Sequence, residues 1–339
     1  MRRWLLIRLL WVLVTLVGIT FVTFVVLDQA PIDRADVELE RSVATEAYGD
    51  RASREAALLR LRIQYGMVDP VTHRSLPLLD RYLAWLGNAA KLRFAGPGGD
   101  DAALWRRLGK ALPVTLWLGS LSLLVAVLGG TALGAWLGMR AGGRGDRIGS
   151  ALLLAGAGVP EFLLATLLTL AFSVVWLPWF PANGLRSPGA ETWTLPWQIL
   201  DFAWHLVLPV VVMSLAPLAL VVRFVRDSVA TTARAPFVQN LRALGVEREV
   251  VAWRLLRHGC APVATLAGSL LPMLVGGSIV VENMFALDGF GHLAYQAVMQ
   301  QDQPLLMALV VIGSVVTLLS LLLSDVLHRA VDARVRLQP

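Results

Sequence analysis

Serine, histidine and carboxylate side chains in an apolar chain are where chemistry would be sought first. Ser269 and Ser278 lie in an apolar stretch with glycines nearby, and His292 follows them. A serine activated by a histidine is the constellation of a protease acting inside the membrane. Nothing in the spacing brings His292 to either serine, and small hydroxyl residues among glycines serve ordinary helix packing in lipid. His73, His205, His258, His292 and His328 form no HExxH pair, which removes the hydrolytic zinc helix, and no GxSxG elbow occurs. Cys260 is the only cysteine, so an internal disulfide or thiolate metal cluster is excluded. Gly109-Lys110 is the nearest approach to a phosphate loop, but Ala111 stands where a hydroxyl must reach the metal and no glycine sits at the required offset. The chain is therefore expected to be no enzyme, to hold no metal or cofactor, and to bind no ATP itself.

The elements that would carry these residues are membrane spans. Of 339 residues, 56% are apolar and 16% charged, outside the range of soluble domains. Uncharged runs long enough to cross roughly 30 Å of hydrocarbon occupy Leu9 to Leu27, Ala111 to Met139, Phe202 to Val222, Gly259 to Val281 and Gln303 to Ser324. A sixth, Ile148 to Leu185, carries the single charge Glu161. The sequence thus predicts an all-α integral membrane protein with six spans and both termini on one side. The first run follows Arg2, Arg3 and Arg8 and reads as a retained anchor rather than a signal peptide, because it is long for an h-region and no small-x-small site follows.

Short cytosolic loops hold an excess of Lys and Arg. Segments 1 to 8, 140 to 147, 223 to 258 and 329 to 339 hold sixteen arginines, whereas loops 182 to 201 and 282 to 302 hold only Arg186. Both termini are accordingly expected in the cytosol. The formal charge of +6 belongs mostly to this topology and is no argument for nucleic-acid binding. Segment 28 to 110 carries thirteen basic and twelve acidic residues and is long enough to escape the rule. Within it, 51 to 67 reads as a charged helix, 76 to 94 as a helix with Leu78, Leu79, Tyr82, Leu83 and Leu86 on one side, and 96 to 101 as a turn. Too lightly apolar for a core of its own, it should pack on the spans, as a platform for an external partner or as a filling loop.

Glu161 is the charge most clearly inside the membrane, and such groups mark pathways. It follows Pro160, with Gly156 and Gly158 allowing close helix approach. It either lines a path, attracting a cationic amino terminus or a metal ion, or is solvated at the cytosolic interface. Pro272, Gly276, Gly277 and Ser278 give the fifth run a kink and a small-residue face, and Pro272, Gly276 and Ser278 are expected on the translocation path with Glu161.

Residues 236 to 262 read as an amphipathic helix pair on the cytosolic side. Pro236 suits a helix start; Phe237, Val238, Leu241 and Leu244 should share one face, and Gly245 breaks the pattern. Val246, Val250 and Trp253 open a second stretch, with Arg248, Arg254 and Arg257 among them. Such a pair either lies on lipid or docks in a groove of a partner.

This segment resembles the EAA loop of permease subunits of bacterial ATP-binding-cassette importers, specifically the dipeptide, oligopeptide and nickel permease family. The resemblance covers nearly the whole chain. The stretch from Arg2 to Ala35 is similar to that family's first span and Ala-Pro-Gly-Asp signature, with Ile32 where glycine is usual. LRIQYGMVDP with RYLAWLGN, the stretch from His205 to Val229, VENMFALDGFG and Asp302-Gln303-Pro304 resemble further family segments. What the resemblance implies is a type I importer permease fold: an N-terminal anchor helix at 1–27, a periplasmic segment at 28–110, and a five-helix core at 111–339 containing the coupling loop at 231–262. It implies half of a translocation pathway for peptides or a related small solute across the bacterial inner membrane. The implied partners are two ATPase subunits that bind ATP and Mg, a second homologous permease, most often a different one, and a solute-binding protein outside. The coupling surface carries over to Phe237, Val238, Arg242, Ala243, Gly245 and Arg248, and the family's gate-proximal acid to Glu282, which with Asn283 is expected to line the path at the external vestibule. Pro236, Gln239 and Leu244 depart from the usual Asp, Arg and Lys. A self-sufficient secondary transporter or channel would call for more intramembrane charge and inverted repeats, and neither is seen.

Overall fold

The structure, a computed structural model, describes residues 2–29, 34–43, 51–96, 99–260, 263–274 and 279–331. Gly276 and Ser278, named above for the path, and Gly277 beside them lie outside the described residues. Helices dominate: α1 Arg2–Asp28, α2 Arg34–Val43, α3 Arg51–Gln64, α4 Leu78–Ala89, α5 Asp101–Leu124, α6 Gly130–Met139, α7 Arg144–Ala157, α8 Glu161–Thr169, α9 Leu195–Ala233, α10 Pro236–Ala243, α11 Arg248–Gly259, α12 Val263–Leu270, α13 Ile279–Met284, α14 Phe290–Met299 and α15 Gln303–Val331. No strand occurs among the described residues. A π-helical turn at Val125–Gly129 joins α5 to α6. The chain divides into two units, Met1–Leu112 with Leu293–Val315, and Pro113–His292 with Val316–Pro339.

Among the described residues four helices are long and apolar enough to cross a membrane, within Arg3–Asp28, Asp101–Met139, Leu195–Ala233 and Gln303–Val326. The third expected span is not one rod. α7 and the helix Glu161–Val175 meet at a bend of 103°, because Pro160 takes an extended ψ of 137° at the cap and cannot continue a helix. The fifth expected span is also broken: α12 passes into a 3₁₀ turn at Leu271–Leu274 around Pro272. At 39 residues α9 extends about 58 Å at 1.5 Å per residue. That exceeds the roughly 30 Å of hydrocarbon, so part of the helix projects beyond it.

In the first unit, α4 is stitched to α1. Tyr82 is buried against Phe21 and Phe24, with ring centroids 5.1 and 5.6 Å away, and its hydroxyl lies 2.9 Å from Thr20 Oγ1. Arg81 pairs with Asp28. The segment thus packs on a span as expected, but Leu79 and Leu83 are exposed. The packed side is Tyr82 with half-buried Leu78, Trp85 and Leu86, since Tyr82 brings a hydroxyl that finds partners on α1. Helix α2 was not expected; among its described side chains the buried apolar ones are Ala35 and Leu39, too few to show as a period. In the loop before α4, the Asp69 carboxyl sits below the usual carboxylate range because the Thr72 and Val71 N–H groups donate to it. Asp302 caps α15 through the Leu305 N–H at 3.2 Å and pairs with Arg107 at 3.3 Å.

The second unit is built on a glycine seam. Gly130, Gly134 and Gly138 of α6 face Val221, Val225 and Val229 of α9 at four-residue steps. A Cβ on Gly134 would fall 2.7 Å from the Val222 carbonyl oxygen, and one on Gly138 2.7 Å from that of Arg226. Close backbone approach of this kind is how helices associate where lipid is as apolar as leucine. At the end of the same helices Asp146, buried on α7, accepts from Arg226 Nε at 2.9 Å and Nη2 at 2.5 Å and from the Gly142 N–H at 2.8 Å.

Candidate functional site

Three places in the second unit gather the residues singled out from the sequence. The first is the hairpin of α10 and α11. Pro236 stands in the first turn of α10 as expected. The helix ends in a Schellman motif: the Gly245 N–H donates to Arg242 O at 3.1 Å and the Val246 N–H to Leu241 O at 3.1 Å. Gly245 has φ +71° with nothing within 4 Å of a would-be Cβ. The glycine is required there by backbone conformation and not by space.

Val238 of α10 and Val251 and Leu255 of α11 are buried, and they join Val225 and Val229 of α9 and Ala135 of α6 in one core cluster. Two expectations about faces are corrected here. Leu244 does not share the Val238 face but is 80% exposed, because the helix stops before it and the turn at Gly245 throws it outward. On α11 the buried register is Val251, Leu255 and Gly259, and Val250 and Trp253 face out. Gly259 decides this register, since without a Cβ it lets α11 close on Val229. Of the six residues named for this surface, Val238 thus points inward, while Phe237, Arg242, Ala243, Gly245 and Arg248 are exposed. Exposed alongside them are Leu244, Val250 and Trp253, the last at 68%, and the cations Arg254 and Arg257. Arg242 and Arg248 stand on one cleft of about 690 Å³, with Met139 and Ala233 behind them.

The second place is a cavity of about 300 Å³ lined by Glu161, Ser122, Met213, Pro217, Pro272 and Met273, with Gly119 and Leu123. It brings together Glu161 and Pro272, two residues expected on the path and 111 positions apart in the chain. Glu161 occupies the first turn of α8, where the helix dipole favours a carboxylate, and it is exposed in this chain.

The third place holds Glu282 and Asn283, and here the structure departs from the expectation of a vestibule. Glu282 is 0% exposed. Thr115 Oγ1 donates to it at 2.7 Å and the His292 N–H at 2.9 Å, and the Gly291 N–H adds a third bond. The Thr115 hydroxyl in turn accepts the Phe290 N–H at 2.7 Å. A carboxylate from one helix and a hydroxyl from another thus satisfy the free N–H groups opening α14. Gly289 and Gly291 make room: a Cβ on Gly289 would fall 2.4 Å from Glu282 Oε2. Asn283 Oδ1 lies 2.8 Å from His292 Nδ1. His292 Nδ1 is thus turned to Asn283, and the Ser269 hydroxyl donates to Leu266 O at 2.8 Å.

Sequence reasoning missed Thr115, Asp146 and the seam of Gly130, Gly134 and Gly138. The four-residue spacing of those glycines was a signal available in the sequence; Thr115 and Asp146 gave none, because their partners are distant in the chain.

The sequence profile of binding-protein-dependent transport system inner membrane components matches residues 130–337. A Brucella ovis protein named as a peptide permease is 33% identical over 99% of both chains. The dipeptide transport system permease protein of Bacillus subtilis is 28% identical over 99% of both. A glutathione transport system permease protein of Pectobacterium atrosepticum is 34% identical over 66% of this chain and 68% of its own.

Proposed function

Because the chain belongs to the binding-protein-dependent transport system inner membrane components, and is thus a non-catalytic permease subunit of an ATP-binding-cassette importer in the inner membrane, we propose that its solute is a peptide or a related small molecule. The names of its relatives, which speak of peptides, dipeptides and glutathione, support that class. An importer of this family works with ATPase subunits, a solute-binding protein and a partner permease. We assign two ATPases and a second, different permease to this one, with ATP and Mg held by the ATPases. Both termini lie in the cytosol, by the arginine count, and the third and fifth runs complete six crossings as broken segments.

The observation that carries the reading is the α10–α11 hairpin. It keeps Phe237, Leu244, Val250 and Trp253 exposed beside Arg242, Arg248, Arg254 and Arg257, while its other side is sealed onto α9. An apolar ridge rimmed by arginines fits a hydrophobic groove with acidic edges, and a chain with no phosphate loop needs such a surface to draw on ATP hydrolysis. Closure of the ATPases would move the hairpin and, with it, the spans, exposing the path alternately to the two sides. Glu161 in its cavity meets the cationic amino terminus of a peptide, its charge offsetting part of the cost of bringing an ammonium group into the membrane.

The test is uptake by the assembled importer. Arg242→Glu should lower peptide uptake at least about tenfold, since it reverses a charge at a docked rim, while insertion into the membrane stays intact. Unchanged uptake would sink the docking reading. For the path, Glu161→Gln should weaken uptake of peptides with a free amino terminus more than that of amino-acetylated ones.

A further inference from the structure

Motion of the hairpin is useful only if it reaches the helices around the path, and a close-packed joint exists where it would. Val229 of α9 is 0% exposed and is held between glycines of two different elements. A Cβ on Gly138, near the end of α6, would lie 2.8 Å from Val229 Cβ and 3.0 Å from Cγ1. A Cβ on Gly259, the last residue of α11, would lie 2.8 Å from Val229 Cγ2 and 3.0 Å from its Cα. One methyl of a single side chain therefore faces the transmembrane core and the other faces the hairpin, and neither contact has room for another carbon.

From Val229 the tight packing continues along α9. Gly134 sits on Val225 and Gly130 on Val221, where a Cβ would fall 2.8 Å from Val221 Cβ and 3.2 Å from Leu218 O. The next residue, Pro217, lines the cavity that contains Glu161. The chain of contacts from Gly259 to that cavity is contiguous, and packing this dense moves as a body and does not absorb displacement.

We propose that Val229 is the joint through which displacement of the α10–α11 hairpin enters the transmembrane helices, with the α6–α9 seam carrying it to the cavity at Glu161. The proposal rests on the reading of the hairpin as the ATPase-docking surface. Val229 is a positioning residue: it touches neither solute nor nucleotide. Its stiff, β-branched side chain suits a wedge between two backbones, where a flexible residue would dissipate the movement.

The experiment uses the complete importer, with both permeases, the ATPases and the binding protein, in lipid nanodiscs. Cys260 is replaced by serine and Ser122, on the cavity wall, by cysteine. The labelling rate of that cysteine by a small maleimide is read with and without ATP and vanadate, so no knowledge of the natural solute is required. The unaltered joint should give a nucleotide-dependent change of about tenfold, the size expected of a coupling between distant sites. Val229→Ala, which removes both methyl contacts and adds no bulk, should reduce that change to less than about twofold while the ATPases still co-purify and hydrolyse ATP. Gly259→Ala should do the same, and Val229→Ala in the Gly259→Ala background should recover part of the response by removing the closest of its clashes, the one with Cγ2.

A Val229→Ala complex that keeps the full nucleotide-dependent change overturns the proposal, whatever Gly259→Ala does. Loss of the ATPases from Val229→Ala overturns it too, because the residue would then hold the docking surface in place and not transmit its motion. An importer with Val229 intact whose labelling ignores nucleotide defeats the docking reading itself, and the joint with it.

Discussion

The α10–α11 hairpin and the corner from α13 to α14 are built from similar parts and end in opposite states. Each is a pair of short helices joined by a glycine-bearing turn, and each carries charge. At the corner the charge is hidden and satisfied: Glu282 is 0% exposed and accepts bonds from Thr115, His292 and Gly291. At the hairpin four arginines and the large apolar residues Leu244 and Trp253 face outward. A buried charge persists only when it is fully hydrogen-bonded, so the corner reads as a fixed fastening. An exposed apolar surface among cations is stable in isolation only at a cost, so the hairpin reads as a surface awaiting a partner. The glycines differ in the same sense. Gly289 and Gly291 are needed for room, and Gly245 for a positive φ.

The largest effect should come from the corner. Glu282→Ala leaves the Thr115 hydroxyl and two backbone N–H groups buried without an acceptor, at about 1–3 kcal/mol per orphaned group. Folded yield and thermal midpoint in detergent should collapse, whereas a midpoint near that of the unaltered protein would mean the corner is no fastening. Next comes Gly245→Pro, which should abolish uptake with little change in yield. Proline fixes φ near −65° and removes the N–H that Arg242 accepts, which undoes the turn without touching a buried contact. Gly245→Ala should cost only about 1 kcal/mol in the hairpin and leave partial uptake.

A smaller effect is expected from Trp253→Ala. Loss of an exposed aromatic anchor should weaken ATPase binding about tenfold or more, as large docked aromatics commonly do, and leave the melting curve unmoved. A lowered midpoint with unaltered binding would place Trp253 on the structural side of the comparison. Smallest of all is Leu244→Lys, which restores the family's common residue at an exposed position. It should change stability by less than about 0.5 kcal/mol, as surface substitutions do, and any gain in uptake would mark a new ion pair with the ATPase.

Much of this was legible in the chain itself. The apolar runs located the long helices because covering hydrocarbon leaves no other composition, and Pro236 and Gly245 marked the ends of α10 because each acts through its own backbone. Legibility failed where a residue's role depends on something distant. The run from Ile148 to Leu185 looks continuous, yet bends by 103°. The face of α11 was set by Gly259 meeting Val229, and a period of apolar residues alone favoured Val250 and Trp253. Leu244 fits the apolar period of α10 but lies past the helix end, so the period no longer governs where it points.

The sequence by itself determined that this protein crosses the membrane several times, holds no ATP-binding loop, and presents a basic amphipathic hairpin. Each of those properties is written in local composition and spacing. Only the tertiary structure decided that Glu282 is a fastening, that Glu161 and Pro272 share a cavity, and that Val229 is gripped from two sides. The reason is physical: those roles are made by contacts such as Thr115 to Glu282, whose partners stand 167 residues apart, and no local pattern constrains which distant group will arrive to satisfy a buried charge or fill the space above a glycine.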